Sequence, residues 1–397
     1  LTRRQPRRVH AGDLLLKIYG GTFGHDSRDL RELKTVRELG LRAIVLAKGR
    51  DAGKTDALGW EWKIVTTRPL GEAGSLAHLN RALSLVLWAR EARRLRPAVI
   101  SGHDLIGTFV GWLSTLFVAS SRRPLLIYDA HEFTVGLHTG WRRRVVSALE
   151  GFLMRRCALS IAVNDSIADR MRDLHRGVAR PVVVRSMPER WSVDQELVAA
   201  HRRQFLDRLG AGEDTFLLMY HGAVSRGRGV ESLIQVLQGR PDVALVVLGA
   251  GDPPYPGELK RLAERSAVSE RVLFLEPVSL ARLGEYVGAA DAGMVTVPRS
   301  SDSYYLMLPN KFFENIQAGT PVIASDFPEV GAIVRRYDIG LLVDPSDVAE
   351  IGRAVDQLRD DPALGARLRA NVRLAREELC WENEQQRLEE AYAGLMV

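Results

Sequence analysis

Short apolar runs rich in β-branched residues alternate with longer stretches of helical spacing along the whole of this sequence, and few folds satisfy such a pattern. A period that keeps switching between strand and helix is the signature of βαβ units and parallel sheets. In the first half, strands are expected at 14–19, 42–47, 63–67, 98–101, 125–128, 159–163 and 182–185. A second series starts afresh, with strands expected at 216–220, 244–248, 272–275, 292–297, 321–324 and 340–343. A chain of 397 residues exceeds the roughly 250–300 at which one core stops growing, so the two series read as two doubly wound α/β domains. The boundary is expected at the proline turn Ser186-Met187-Pro188-Glu189, giving domains 1–189 and 190–375 with a helix from about 193 to 209 after the turn. Residues 376–397 read as a charged helix packing back on the first domain.

Apolar residues make up 46% and charged residues 26%, which excludes a disordered or fibrous chain. The opening LTRRQPRRVH is followed only by the apolar run Leu14-Leu15-Leu16, unlike a secretory signal. The longest apolar stretch, 109–119, falls short of the roughly 20 residues that cross a bilayer. Cys157 and Cys380 lack CxxC spacing, so neither a disulfide framework nor a zinc site is implied and a cytoplasmic location is expected. Charge is uneven: residues 1–190 hold 33 Lys and Arg against 18 Asp and Glu, whereas residues 191–397 hold 22 against 31. A basic half attracts anionic lipid, nucleic acid or a phosphorylated substrate, and solvated helix faces are the alternative. No nucleic-acid-binding motif accompanies it, so nucleic acid is not an expected partner.

Four segments carry candidate chemistry. Gly20-Gly21-Thr22-Phe23-Gly24 ends the first strand, where glycines let backbone N–H groups approach an anion; a turn serving only chain geometry is the alternative. Its spacing does not match a dinucleotide fingerprint. Tyr128-Asp129-Ala130-His131-Glu132 ends a buried strand, where ligands of open α/β sheets bind, making Asp129 and His131 candidate catalytic groups. A satisfied turn is the alternative there. His221-Gly222-Ala223-Val224-Ser225-Arg226-Gly227-Arg228-Gly229 pairs a glycine-permitted loop at Gly222 with two arginines suited to a diphosphate, against a solvated surface turn. Finally, Lys311 and Glu314 share one face near the start of a helix, fit either to hold phosphate and ribose or to form an ordinary exposed pair.

In order and spacing these segments, with Asp26-Ser27-Arg28, RRCALSIAVNDSIADRM, VVLGAG and ENIQAGTPVIAS, resemble the retaining GT-B glycosyltransferases of the large family of bacterial mannosyl-, glucosyl- and N-acetylglucosaminyltransferases. The resemblance implies two Rossmann-like domains facing each other across a cleft. It implies that Glu314 binds the donor ribose, that Arg228 contacts the donor diphosphate, that His131 lies near the transferred sugar, and that Gly21 belongs to a loop facing the phosphates. Two positions depart from the family pattern. The family's first Glu falls on Leu306, as in a branch that lacks it, and the Arg that often follows the first glycine of the diphosphate loop is Ala223, leaving Arg226 as a substitute.

The activity implied by the resemblance is transfer of a sugar from a nucleotide-diphosphate sugar, UDP first and GDP second, to an acceptor hydroxyl with retention of configuration. The acceptor is a glycan, a lipid-linked glycan or a small molecule. No Asp-x-Asp motif is present to hold a metal on the diphosphate, so neither metal nor cofactor is expected; Arg228, Lys311 and helix N-termini stabilise the leaving group instead. A non-catalytic sugar-nucleotide-binding protein and, through the faint echo His201-Arg202-Arg203-Gln204, a nucleotide-sugar epimerase are the competing readings. Trp141-Arg142-Arg143-Arg144 and Arg155-Arg156 further point to peripheral contact with anionic lipid, the alternative being an amphipathic helix packed on its own sheet.

Overall fold

In the computed structural model the described residues are 8–22, 27–48, 61–65 and 75–396. The chain divides into two compact units, Leu1–Arg185 with Glu384–Val397, and Ser186–Asn383. The first unit holds β1 (Leu14–Thr22), β2 (Arg42–Lys48), β3 (Glu61–Val65), β4 (Val99–His103), β5 (Leu125–Ala130), β6 (Leu159–Ala162) and β7 (Val182–Val183). The second holds β8 (Phe216–His221), β9 (Val243–Leu248), β10 (Val272–Leu275), β11 (Ala292–Val295), β12 (Val322–Ser325) and β13 (Gly340–Val343). Each run expected as a strand from its periodicity overlaps one of these.

The strand pairs are parallel, and the orders are β3-β2-β1-β4-β5-β6-β7 and β10-β9-β8-β11-β12-β13. Both units are therefore doubly wound, Rossmann-like α/β domains. Strand order reverses between β1 and β4 in one sheet and between β8 and β11 in the other. At such a switch point the connecting loops diverge and leave a crevice outside the strands' carboxyl ends, where ligands bind.

Burial on both faces explains why the strands read as nearly continuous apolar runs. In the second unit Leu218, Leu245 and Met294 from the sheet pack in one buried cluster with Leu233, Ile351 and Val355 from its helices. In the first, Leu16, Ile18 and Ile100 pack with Trp88 and Val110. Close approach matters at Gly107, in the helix Asp104–Thr115: a Cβ there would collide with the Ile18 carbonyl oxygen, so only glycine lets this helix lie so near β1.

The linker helix is Gln195–Leu209, capped by the Asp194 side chain, which accepts from the backbone N–H groups of Glu196 and Leu197, and ended by Gly210 in a left-handed conformation. Near the end of the chain, one helix covers Pro362–Glu378 and another Trp381–Ala393, and the return to the first unit begins inside the latter, at Glu384. Within the first unit, Glu384 accepts from the Arg185 backbone N–H at 2.7 Å, and Val9 forms a parallel bridge with Met396. Among the described residues no helix is long and apolar enough to cross a membrane.

Candidate functional site

Each unit gathers polar side chains at its own switch point. In the first, the centre is Lys17, a lysine inside the apolar strand β1 and only 2% exposed. A buried ammonium is tolerable only when paired. Its Nζ lies 2.6 Å from Asp29 Oδ1, 2.5 Å from Glu32 Oε2 and 2.6 Å from Asp129 Oδ2. Arg28, also fully buried, donates to Glu32 Oε1 at 2.6 Å, to Asp129 Oδ1 at 3.2 Å and to the Val184 carbonyl at 2.7 Å. Burial works against these charges, yet Lys17 holds Asp29 and Asp129 well below the usual carboxylate range, and the three carboxylates hold Lys17 well above its ordinary value.

Two imidazoles cap this network. His131 Nε2 lies 3.0 Å from Asp129 Oδ2, and the His131 backbone N–H donates to Asp104 Oδ1 at 2.8 Å. His103, at the end of β4, packs against His131 in a tilted arrangement with ring centroids 3.8 Å apart, and against Tyr19 at 4.2 Å. Burial disfavours charge on His103, but hydrogen bonds to Asp104 and Asp29 outweigh it and lift its pKa to about 10. Asp129, expected among the catalytic groups, is wholly buried with its oxygens engaged by Lys17, Arg28 and His131. It has no surface for a substrate, and its contact within this site is with the His131 ring.

Ligand atoms of Asp29, His103 and His131, and likewise of Asp29, Glu32, Asp129 and His131, lie within 4.8 Å of one another, a spacing that can hold a metal ion. Lys17 already stands among the three carboxylates as a cation, with Arg28 on Glu32 and Asp129.

The second unit shows the opposite condition: cations without a bonded counter-ion. Lys311, in the first turn of the helix Asn310–Ala318, is 8% exposed and its Nζ has no hydrogen-bond partner. It lies over the Tyr220 ring, 3.7 Å from the centroid. Burial, and then the neighbouring Arg228, press its pKa down to about 7 against the pull of Glu314. The positive end of the helix dipole acts in the same sense. Arg228 lies 5.5 Å over the Tyr304 ring, and none of its contacts among the described residues is a hydrogen bond or an ion pair. Lys311 and Arg228 thus adjoin at the carboxyl end of a parallel sheet, the end at which open α/β sheets take their ligands.

The loop after β8 adjoins these cations. Gly222 adopts φ +107, and a Cβ on Gly249 would collide with the Gly222 carbonyl oxygen. The Val224 N–H donates to the Ala250 carbonyl at 2.8 Å, so the loops after β8 and β9 are clasped. Beside them, His221 Nε2 lies 3.0 Å from Glu314 Oε2, which joins the end of β8 to the helix carrying Lys311.

Within the second unit, then, Gly222, Arg228, Lys311 and Glu314 come together; within the first, Asp129 and His131 do. Arg226 departs from expectation: its guanidinium pairs with Glu258 and lies 5.2 Å over Tyr255, turned to the helix Tyr255–Arg265. Leu306, at the position of the family's first Glu, is buried. Gly21 lies in β1, and the residues after that strand, Phe23 to Asp26, lie outside the described residues. The sequence pattern did not single out Lys17, Asp29, Glu32, His103, Tyr220 or His221 for a role. A lysine inside an apolar strand was the legible signal for the first of these.

Residues 201–375 match the family model described as glycosyl transferases group 1. A D-inositol 3-phosphate glycosyltransferase of Xylanimonas cellulosilytica is 33% identical over 198 residues, 49% of this chain and 46% of that protein. A glycogen synthase of Mycobacterium tuberculosis is 27% identical over 301 residues, 72% of this chain and 65% of that protein. The chain spans about half the length of the D-inositol 3-phosphate glycosyltransferases it matches, 46% for the Xylanimonas protein and 44% for one of Thermomonospora curvata. Among solved structures, Anabaena HepE in complex with UDP and glucose aligns with a TM-score of 0.77 at 18% identity, over 96% of this chain and 100% of that one. Sucrose-phosphate synthase from Thermosynechococcus elongatus aligns with a TM-score of 0.76 at 19% identity, over 96% and 99%. The chain therefore has the GT-B fold, and its residues 201–375 are similar to the glycosyl transferases group 1 family.

Proposed function

We propose that this protein is a retaining glycosyltransferase that takes its sugar from a nucleotide-diphosphate donor, with UDP as the nucleotide. The observation that carries the reading is the buried ammonium of Lys311, without a hydrogen-bond partner, beside Arg228, in residues that match the glycosyl transferases group 1 model. A diphosphate satisfies both cations. If each contributes about 1.5–3 kcal/mol through charge-assisted bonds, together they supply much of the roughly 8 kcal/mol of micromolar binding. UDP is favoured because HepE, a fold neighbour, was crystallised with UDP and glucose.

In this reading Glu314, held by His221, receives the ribose hydroxyls, while Gly222 lets the backbone approach the phosphates. As the bond from the sugar to the diphosphate breaks, negative charge grows on the leaving oxygen and is stabilised by Lys311, Arg228 and the N-terminus of the helix Asn310–Ala318. These fixed cations do the work of a metal, so transfer persists in EDTA. A phosphate oxygen of the leaving group accepts the acceptor's proton, and His131, oriented by Asp129, hydrogen-bonds the sugar. Retention follows because acceptor attack and leaving-group departure share one face.

The acceptor is a glycan, a lipid-linked glycan or a small molecule. Contact with anionic lipid is proposed at the helix Gly140–Met154, where Trp141 is 70% and Val145 56% exposed beside Arg142 and Arg144. The test of the reaction is to incubate the chain with UDP- and GDP-sugars and the candidate acceptors in EDTA, and to follow nucleotide release and the product's anomeric configuration by NMR. Release of UDP with an α-configured product from an α-donor is expected. An inverted product, or isomerised donor without transfer, defeats the reading.

A further inference from the structure

We infer that the second unit carries a separate anion site, at the end of its sheet away from Lys311, built to take a phosphate group. Arg369, Arg373 and Arg376 are spaced four and three apart on the helix Pro362–Glu378, which puts all three on one face. They line a pocket of about 310 Å³ together with Gln195, Gly288 and Gly319. Its place in the fold is fixed by the chain. Gly288 ends a helix that leads into β11, and Gly319 ends the helix that leads into β12, so the pocket lies by the amino ends of these strands. Lys311 and His221 belong to the carboxyl ends.

Arginines near helix C-termini have an ordinary purpose, since they cap carbonyls and offset the dipole. Part of this group does so. Arg369 donates to the Ala290 and Asp291 carbonyls at 3.1 and 3.2 Å, Arg376 to the Trp191 carbonyl at 3.2 Å, and Arg202 to the Ala289 carbonyl at 3.2 Å. The charges nevertheless do not balance. Asp291 serves both Arg202, at 2.9 Å, and Arg369, at 3.3 Å. Glu377 lies 3.6 Å from Arg376 and 3.5 Å from Arg190, and is shared between them. With the two helix ends at Gly288 and Gly319 each equal to roughly half a negative charge, about one and a half of the positive charges of Arg202, Arg369, Arg373 and Arg376 remain unmatched. Burial, and then Arg202 and Arg373, lower the pKa of Arg369 against the pull of Asp291, as crowded like charges do.

Arg373 is the side chain that no capping role explains. It is exposed and forms no hydrogen bond or ion pair among the described residues, yet it stands on the face that lines the pocket. A dianionic phosphate group, free or as a monoester on a small molecule, matches the unmatched charge and the fork geometry of guanidinium groups.

The test uses the full chain with Lys311→Met, so that the proposed diphosphate site is disabled whether or not that reading holds. Thermal unfolding and calorimetric titration are followed with inorganic phosphate and with glycerol 3-phosphate, at ionic strength held constant with KCl. Both ligands are expected to raise Tm beyond KCl alone, and whichever binds more tightly identifies the source the site takes. Adding Arg373→Gln, a change at a side chain that bonds to nothing among the described residues, weakens binding about tenfold, and Arg373→Gln with Arg376→Gln abolishes it. A phosphate effect no larger than that of KCl, or one unchanged by the Arg373 replacement, overturns the proposal.

Discussion

Lys311 holds its ammonium in the protein interior over the face of Tyr220, without a hydrogen-bond partner, an arrangement that costs stability in the unliganded state. With its pKa about 7 in the native chain and about 10.4 when unfolded, the native state binds fewer protons over that interval, so this residue's contribution makes stability rise with pH from 7 to 10. Lys311→Met is accordingly expected to stabilise the unliganded protein at pH 7 by about 1–3 kcal/mol in thermal or urea unfolding, while weakening nucleoside diphosphate binding. A bound diphosphate restores the charge on Lys311. UDP binding at about pH 8 should therefore take up a proton, seen as a binding enthalpy that varies with the buffer's ionisation heat and ceases to vary in Lys311→Met. His103 has the opposite sign. Its stabilising contribution is complete below about pH 6.5 and is lost as pH rises toward 10, so His103→Gln flattens that alkaline loss.

Elements were legible in this sequence where their physics is local. Apolar β-branched runs disclosed the strands β1 to β13, although β7 contracts to Val182–Val183 and β4 runs on to His103. The segments around Asp129, His221 and Lys311 were found because strand ends and helix starts can be read from a short window. What could not be read was pairing at a distance: Lys17 meets Glu32 across 15 residues of chain and Asp129 across 112. That network ties β1, the helix Ser27–Glu38 and β5 to one another. Lys17→Met removes the ammonium at its centre, and is expected to destabilise the first unit by about 3–5 kcal/mol in denaturant unfolding. For the clasped loops of the second unit, Gly249→Ala forces a Cβ against the Gly222 carbonyl. Its expected effect is a loss of about 1–3 kcal/mol in stability, with weaker nucleotide binding.

Across the chain, the two units treat buried charge differently. The first pairs its own, Lys17, Arg28 and the charged His103 among Asp29, Glu32 and Asp129, and Asp129 also holds the His131 ring at 3.0 Å. The second leaves Lys311 and Arg228 without a bonded anion among the described residues, which the proposed nucleotide diphosphate would supply. The basic excess of residues 1–190 belongs to a third case, and its proposed partner is anionic lipid. Vesicles containing phosphatidylserine should bind the chain in a salt-sensitive manner that Trp141→Ser with Arg144→Gln weakens; no binding at low salt counts against the lipid contact alone. Calorimetric titration of UDP in EDTA, into the wild-type chain and into Lys311→Met, decides whether the second unit's cations await a nucleotide diphosphate. Saturable binding to the wild type is expected, weaker by at least about tenfold in the variant. Equal affinity in the two chains, or no binding of UDP or GDP to the wild type, would contradict that assignment.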